Sequence, residues 1–424
     1  MARSRVTVVC GINWGDEGKG RMVDYLAQDA QVVVRFQGGN NAGHTVVNQF
    51  GTFALHLVPS GIFNPGVLNV LGPGMVIDLE GLEDELTKLS ARGVNTEKLV
   101  VSDRATVCFP FHKKLDEWEE RRLAGRAYGS TKNGIAPAYG DRHLKKGVRV
   151  GDLLDPIGRK DVVERAVEWA SLLARDIHGE SGFSVEETLA WCDKHLATLA
   201  PRVCDTISVL GDAAAEGKHI LLEAQLGALR DVYFGIYPYT TSSCALSAFA
   251  PVGAGLFGYR PDRVVGVMKA FATCVGEGPF VTRMEEEEAN ELRESAQEYG
   301  ARTGRPRTIG HFDAVASRYG TRVQEATELT LTKLDSLSGR SELKICTHYS
   351  VDGRRTDVFP TTGLDRAQPI YETMPGWSED VSECRSFARL PRTAQDYVSR
   401  IEELVGTRIR FISVGPERSQ LIER

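Results

Sequence analysis

Apolar and polar positions fall into short blocks along this chain. Residues 6–10 form an apolar run that ends in a glycine-rich stretch at 11–20, and helical spacing resumes at Met22. A run of that length closed by glycine predicts a buried strand, with a helix behind the turn. Residues 31–36 predict a second buried strand, followed by a second glycine-rich turn at 38–43. The pattern returns at 67–71, ahead of Gly72-Pro73-Gly74. Residues 79–92 predict a helix and 99–102 the next strand. Between 159 and 200, Ala, Glu, Leu and Trp recur at helical spacing, which predicts a helical insertion over about 156–218. Further strands are expected at 220–222, 264–267, 329–334, 343–346 and 409–414. A long Gly/Pro/Ser/Thr segment is expected at 227–255 and a helix at 394–404. Strands separated by helices predict an α/β fold: a large, central, mostly parallel β-sheet flanked by helices. No internal repeat or linker divides the chain, so residues 1–424 read as a single catalytic domain.

Composition narrows the class. The 424 residues are 42% hydrophobic and 25% charged, which excludes a disordered chain, a coiled coil and a collagen-like repeat. No apolar stretch reaches the roughly 18 residues of a membrane span. A net charge of −6 gives no global attraction to nucleic acid or to a membrane surface. The first residues lack the apolar core of a secretory leader, and a cytoplasmic location is expected. The eight cysteines contain no C-x-x-C pair, and they read as buried free thiols in a reducing compartment. The acidic run at 285–288 reads as a solvated helix face.

Four segments carry candidate chemistry. The first is Gly11 through Gly20, a glycine-rich loop between a strand and a helix, where backbone N–H groups converge on an anion. It is P-loop-like but lacks the pattern's glycine at 13 and its hydroxyl at 20, where Asn13 and Gly20 stand. Asp16 is a costly residue near phosphates unless it holds a metal or a proton. The second is the loop 38–45, which carries His44, a residue suited to polarising an oxygen near neutral pH. The third is Thr332-Lys333-Leu334-Asp335, where a carboxylate could accept the N1–H and 2-amino group of guanine and the lysine stem could lie across the base. The fourth, 300–307, holds Arg302, Arg305 and Arg307. Guanidinium forks there suit carboxylate or phosphate, and a solvated basic turn is the plain alternative.

Together these segments resemble the adenylosuccinate synthetase family. The resemblance runs from Val8 to about Arg418. It rests on Trp14-Gly15-Asp16-Glu17-Gly18-Lys19-Gly20, residues 37–45, Leu55-His56-Leu57-Val58-Pro59-Ser60-Gly61 and residues 129–139. It continues through Tyr237-Pro238-Tyr239-Thr240-Thr241-Ser242-Ser243, Val275-Gly276-Glu277-Gly278-Pro279-Phe280, Thr332 to Asp335, residues 371–377 and Ser413-Val414-Gly415-Pro416. It implies P-loop-NTPase-like nucleotide binding and a GTP-dependent ligase that joins L-aspartate to the 6-position of IMP. GTP phosphorylates the purine 6-oxygen, and the aspartate amine then displaces phosphate to give adenylosuccinate and GDP, in AMP biosynthesis.

The resemblance also implies site residues. Asp16, His44 and Lys19 would be catalytic, with Asp16 as the base. Asp16 and the Gly43 carbonyl would hold one Mg²⁺ per site. GTP would meet Gly15, Glu17, Gly18, Lys19, Gly20, Gly43, His44, Thr45, Arg307, Lys333, Leu334, Asp335, Ser413, Val414 and Gly415. IMP would meet Asp16, Asn41, Ala42, Thr131, Lys145, Gln225, Leu226, Thr241 and Arg305. Aspartate would meet Ala301, Arg302, Thr303, Gly304, Arg305 and Arg307. A homodimer with shared active sites is implied, with Lys145 standing where the family has an arginine that reaches the neighbouring subunit's nucleotide.

The chain departs from the family at Glu223-Ala224-Gln225-Leu226-Gly227. With Gly227 and Asp231 fixing the register, Leu226 takes the place of a glutamine that contacts the purine. On a strand Gln225 would point to the other face, whereas in a loop it could still reach the purine. Cys244 to Phe249 and Asp231-Val232-Tyr233-Phe234 also differ. Two further readings follow: the same chemistry on a modified purine nucleotide or nucleoside analogue, and a non-catalytic GTP-binding regulator.

Overall fold

The computed structural model describes residues 5–300 and 304–424. Its centre is a ten-stranded sheet built from Val6–Gly11 (β1), Val32–Arg35 (β2), Leu68–Leu71 (β3), Leu99–Ser102 (β4) and Val203–Cys204 (β5). The second half of the chain adds Ile220–Gly227 (β6), Arg263–Lys269 (β7), Glu328–Thr332 (β8), Ile409–Ser413 (β9) and Leu421–Glu423 (β10). The spatial order is β10-β9-β8-β7-β1-β6-β2-β3-β4-β5. All neighbours are parallel except β9 and β10. β1 and β2 are buried along their whole length, as strands covered on both faces must be, and this is why they read as unbroken apolar runs.

The topology decides where a site can form. The chain moves outward through β2, β3, β4 and β5, then returns to place β6 between β1 and β2, and continues outward on the other side. That reversal opens a crevice at the carboxyl ends of β1, β6 and β2, where ligands of open α/β sheets bind.

The expected helical stretch contains the helices Arg159–His178 and Val185–Leu199. The first stops at Gly179 in the left-handed region (φ 67°), and the second is capped by Ser184, whose side chain accepts from Glu187 N–H. They are followed by the edge strand β5 and by the helix Thr206–Ala215. Leu210, Ala213 and Ala214 of that helix pack with Val6, Val8 and Ile220 under the sheet. A second sheet is formed by Arg340–Val351 with Phe312–Asp313, Arg354–Thr356 and Gln368–Trp377. The residues after Gly43 form an antiparallel hairpin, His44–Asn48 with Gly51–Leu55. The acidic run opens the helix Glu286–Ser295, where Glu285, Glu286 and Glu287 are exposed and Glu288 pairs with Arg340. All eight cysteines are free thiols. No helix among the described residues is long and apolar enough to cross a membrane.

Candidate active site

The loop after β1 delivers its residues at the sheet's reversal point. Asp16 has φ 58° and is half-buried, a strained conformation for a residue with a Cβ. The helix Lys19–Leu26 begins directly behind it with its N-terminus toward the crevice. Glycine at 20 has a steric reason: a Cβ there would sit 2.7 Å from the Cβ of His44. The hydroxyl of an ordinary P-loop is thus replaced by close approach of the His44 hairpin.

Glu17 turns inward. Its carboxylate accepts from Gly15 N–H (2.8 Å) and Asn13 N–H (3.2 Å) and pairs with the Lys19 ammonium at 2.6 Å. His44 is buried, with Nδ1 2.5 Å from Glu223 Oε1. Glu223 also accepts from the Ser60 N–H (2.8 Å) and Oγ–H (2.7 Å). Burial pushes the His44 imidazole below its ordinary value, and the bond to Glu223 offsets this only in part. Burial also opposes ionisation of Glu223, but His44, Arg35 and Ser60 outweigh it and hold the carboxyl down. Nδ1–H therefore donates to a carboxylate, and His44 Nε2 is left buried without a partner among the described residues.

Two cavities meet at this loop. One, of about 400 Å³, is bordered by Trp14, Asp16, Asn41, Ala42, Gly43, Thr131, Leu226, Arg230, Tyr239 and Thr241. The other, of about 480 Å³, is bordered by Asp16, Glu17, Gly18, Lys19, Gly20, Gly43, His44, Thr45, Lys269, Glu298, Arg307, Lys333, Asp335, Ser413 and Gly415. Asp16 and Gly43 border both.

In the second cavity, Asp335 Oδ1 is buried and has no partner among the described residues, and burial raises this carboxyl. Lys333, at φ 64°, ties its ammonium to the Ala296 carbonyl at 2.7 Å. Arg21 reaches Ser413 Oγ and the Glu417 carbonyl, and burial lowers it to about 10. Arg307 Nε lies 3.2 Å from Asp16 Oδ2, and its Nη1 pairs with Glu298. Gly15, Leu334 and Val414 lie buried behind the cavity wall and do not border it.

In the first cavity, Thr241 Oγ1 is buried with no partner among the described residues. The N–H groups of Tyr128, Gly129 and Ser130, beside Thr131, all donate to Glu120 at 3.0 Å. The register between β1 and β6 slips between the pairs Val9–Glu223 and Gly11–Gly227. This bulge re-aims two neighbouring side chains. Leu226, at φ 60°, borders the cavity, whereas Gln225 is fully buried, accepts from Arg35 and donates to Asn41 Oδ1. Gln225 therefore reaches the crevice through Asn41 and does not border it.

Two other expected residues stand apart. Lys145 is exposed beside a separate hollow with Arg149 and Trp169. Arg305 is exposed and borders neither cavity, as does Gly304. Ala301, Arg302 and Thr303 lie outside the described residues. Glu223, Lys269 and Glu298 were not expected at the site. Glu223 interrupts an apolar run, a signal that marks a buried, paired group, whereas Lys269 and Glu298 carry no signal of their pairing.

The profile of the family described as adenylosuccinate synthetase matches residues 8–422. The chain belongs to the adenylosuccinate synthetase family. It is 50% identical over 419 residues to adenylosuccinate synthetase 2 of Pseudoalteromonas translucida, covering 98% of this chain and 99% of that one. It is 45% identical over 421 residues to the adenylosuccinate synthetase of Caldanaerobacter subterraneus subsp. tengcongensis, covering 98% of each. The fully ligated adenylosuccinate synthetase from Plasmodium falciparum superposes with a TM-score of 0.93 at 32% identity, covering 99% of this chain and all of that one. The fold expected from the sequence is that of the family. The family's reaction is GTP-dependent joining of L-aspartate to IMP, and this adenylosuccinate synthetase-family chain is a ligase of that kind.

Proposed function

We propose that the reaction runs where the two cavities meet, with IMP in the one bordered by Asn41 and Thr241 and GTP in the one bordered by Lys19 and Asp335. The observation that carries this reading is that Asp16 and Gly43 border both cavities. A group there touches the purine and the terminal phosphoryl at once.

Asp16 takes the N1 proton of IMP, and the electron pair shifts onto O6, which attacks the γ-phosphorus of GTP as the bond to the β-phosphate oxygen breaks. Lys19 and the loop N–H groups balance the charge that develops. His44 Nε2 faces the transferring group. Negative phosphate oxygens favour the imidazolium, whose Nε2–H donates to them while Nδ1–H stays on Glu223. The aspartate amine then displaces phosphate at C6, with Arg307 on its carboxylates and Arg305, exposed in this structure, joining it once the substrates are bound. Asp335 reads guanine through its unpartnered oxygen, with Lys333, Ser413 and Gly415 beside it.

The donor set fits Mg²⁺. Among the described residues no cluster of three or more His, Cys, Asp or Glu side chains could hold a metal ion. A cation here would take most of its oxygens from phosphate and water, which is the habit of Mg²⁺. Asp16 and the Gly43 carbonyl would hold it, and it would neutralise phosphate charge.

Among the described residues that border the nucleotide cavity the one cation is Arg230, and its guanidinium is committed to the carbonyls of Tyr239, Val275 and Glu277. Lys145 supplies the charge for a 5′-phosphate from a second subunit. Leu144, Leu154 and Ile157 in the same stretch of chain are exposed, as residues of a homodimer interface are before assembly. The whole chain acts as one catalytic unit, in the cytoplasm. Phosphate release from GTP tests the assignment: it should require both IMP and aspartate, and Asp16→Ala should abolish it with an unchanged melting curve. Leu226, which offers the purine no hydrogen bond, supports a second reading in which the base is modified. A panel of IMP, dIMP, GMP and base-modified analogues separates the two.

A further inference from the structure

Behind Arg307 stands a buried carboxylate that the reaction described above does not use. Glu298 is sealed from solvent. Burial opposes its ionisation, yet Lys269, Arg307 and Lys333 together pull its carboxyl down to about 2. The Lys269 ammonium lies 2.7 Å from Glu298 Oε2 and 2.8 Å from Thr273 Oγ1. Lys269 is the last residue of β7, so this contact ends on the central sheet.

Glu298 grips Arg307 twice. Its carboxylate pairs with Nη1, and its carbonyl accepts from the Arg307 N–H at 3.0 Å. Just beyond, Gly300 N–H donates to the Arg305 carbonyl at 2.8 Å, and Tyr299 and Pro306 form an isolated bridge. Arg307 is thus pinned through both its backbone and its guanidinium, and the guanidinium contact is ionic. A continuous series of charges runs from the sheet to the crevice: Lys269, Glu298, Arg307, Asp16.

We propose that Lys269 and Glu298 are a positioning pair for aspartate, holding the Arg307 guanidinium beside Asp16 before the amino acid arrives. The proposal rests on the reading of the arginine loop as the aspartate site. Its physical basis is preorganisation: a guanidinium already fixed in place spends less binding energy on ordering. Fixing it with an ion pair rooted in a β-strand, rather than with loop contacts alone, gives the loop a rigid reference.

Steady-state kinetics on the full-length enzyme test this. Glu298→Gln and Lys269→Met should each raise the KM for L-aspartate by about tenfold or more, with the KM values for IMP and GTP moving less than about threefold. Lys269→Arg, which keeps the charge, should bring the aspartate KM back to within about threefold of the parent. The Lys269→Met/Glu298→Gln double variant has no lone buried charge, so its melting temperature should recover toward the parent while its aspartate KM stays high. Recovery of both together would make the pair purely structural and overturn the proposal. Arg307→Ala provides the reference. If it leaves the aspartate KM unmoved, the reading of the loop fails. If it raises that KM while Glu298→Gln and Lys269→Met do not, the loop reading stands and the positioning pair is refuted.

Discussion

His44 and Glu223 form a buried dyad, with imidazole Nδ1 2.5 Å from the carboxylate and the opposite ring nitrogen without a partner among the described residues. The carboxylate fixes which nitrogen carries the hydrogen in the neutral ring and supports the imidazolium when the ring gains a proton. Glu223→Gln keeps an acceptor and loses that support. The expected result is a kcat lower by about 10²-fold at nearly constant KM for all three substrates. Phosphate-release kinetics check it, and a selective rise in one KM would refute the dyad's role.

Leu226 sits in the left-handed region with its side chain on the nucleotide cavity. Leu226→Gln should leave the melting temperature within a few degrees of the parent, because the chain conformation is set by the β1–β6 bulge rather than by the side chain. It should retain or improve turnover of IMP. Complete loss of activity at unchanged stability would transfer the purine contact to Gln225, by way of Asn41.

Lys145 and Asp16 border different hollows of one subunit. If they serve one active site across a dimer, two crippled variants should rescue each other. Mixing Asp16→Ala with Lys145→Glu after dissociation and reassembly should restore about a quarter of parental activity, from the mixed dimers that carry one intact site. Mixtures no more active than their parts would show that each subunit works alone.

His311 gives a stability prediction. Burial lowers its imidazole to about 4, with Lys344 and Arg340 adding to the effect, against an ordinary value of 6.5. Between those values the unfolded chain binds a proton that the folded protein refuses. The contribution is therefore complete above about pH 6.5 and is lost as pH falls through the window. Denaturant melts at pH 7 and pH 5 should show the parent losing more stability than His311→Gln, with a limiting slope difference of about 1.4 kcal/mol per pH unit for one proton. Parallel pH profiles would assign the acid sensitivity elsewhere.

The sheet was legible wherever its strands are pure apolar runs. The strand at 99–102 is found at Leu99–Ser102, and the one at 264–267 widens only to Arg263–Lys269. Legibility failed where polar residues are buried in strands. β6 reads as 220–222 because Glu223 and Gln225 interrupt its apolar run, yet both are enclosed by partners from distant segments. Val203–Cys204 is too short to show any period among helix-forming neighbours. His44 reads as a loop residue and is the first residue of a hairpin strand, because the pairing with Gly51–Leu55 is a tertiary choice. Asp16, Lys19 and Asp335 stand in short motifs that say little one by one, and only their ordered combination along the chain made the crevice-facing loops readable. Lys269 and Glu298 carried none, since a salt bridge between positions far apart in sequence leaves no spacing to read.

The late insertion of β6 also bears on biogenesis. The first strand made has both of its eventual neighbours, β6 and β7, in the latter half of the chain. While the ribosome is still producing the early segments, β1 and β2 expose unsatisfied edges, an invitation to mispairing. Nascent fragments ending before Ile220 should therefore depend on chaperone protection, and the crevice cannot be assembled until most of the polypeptide has emerged.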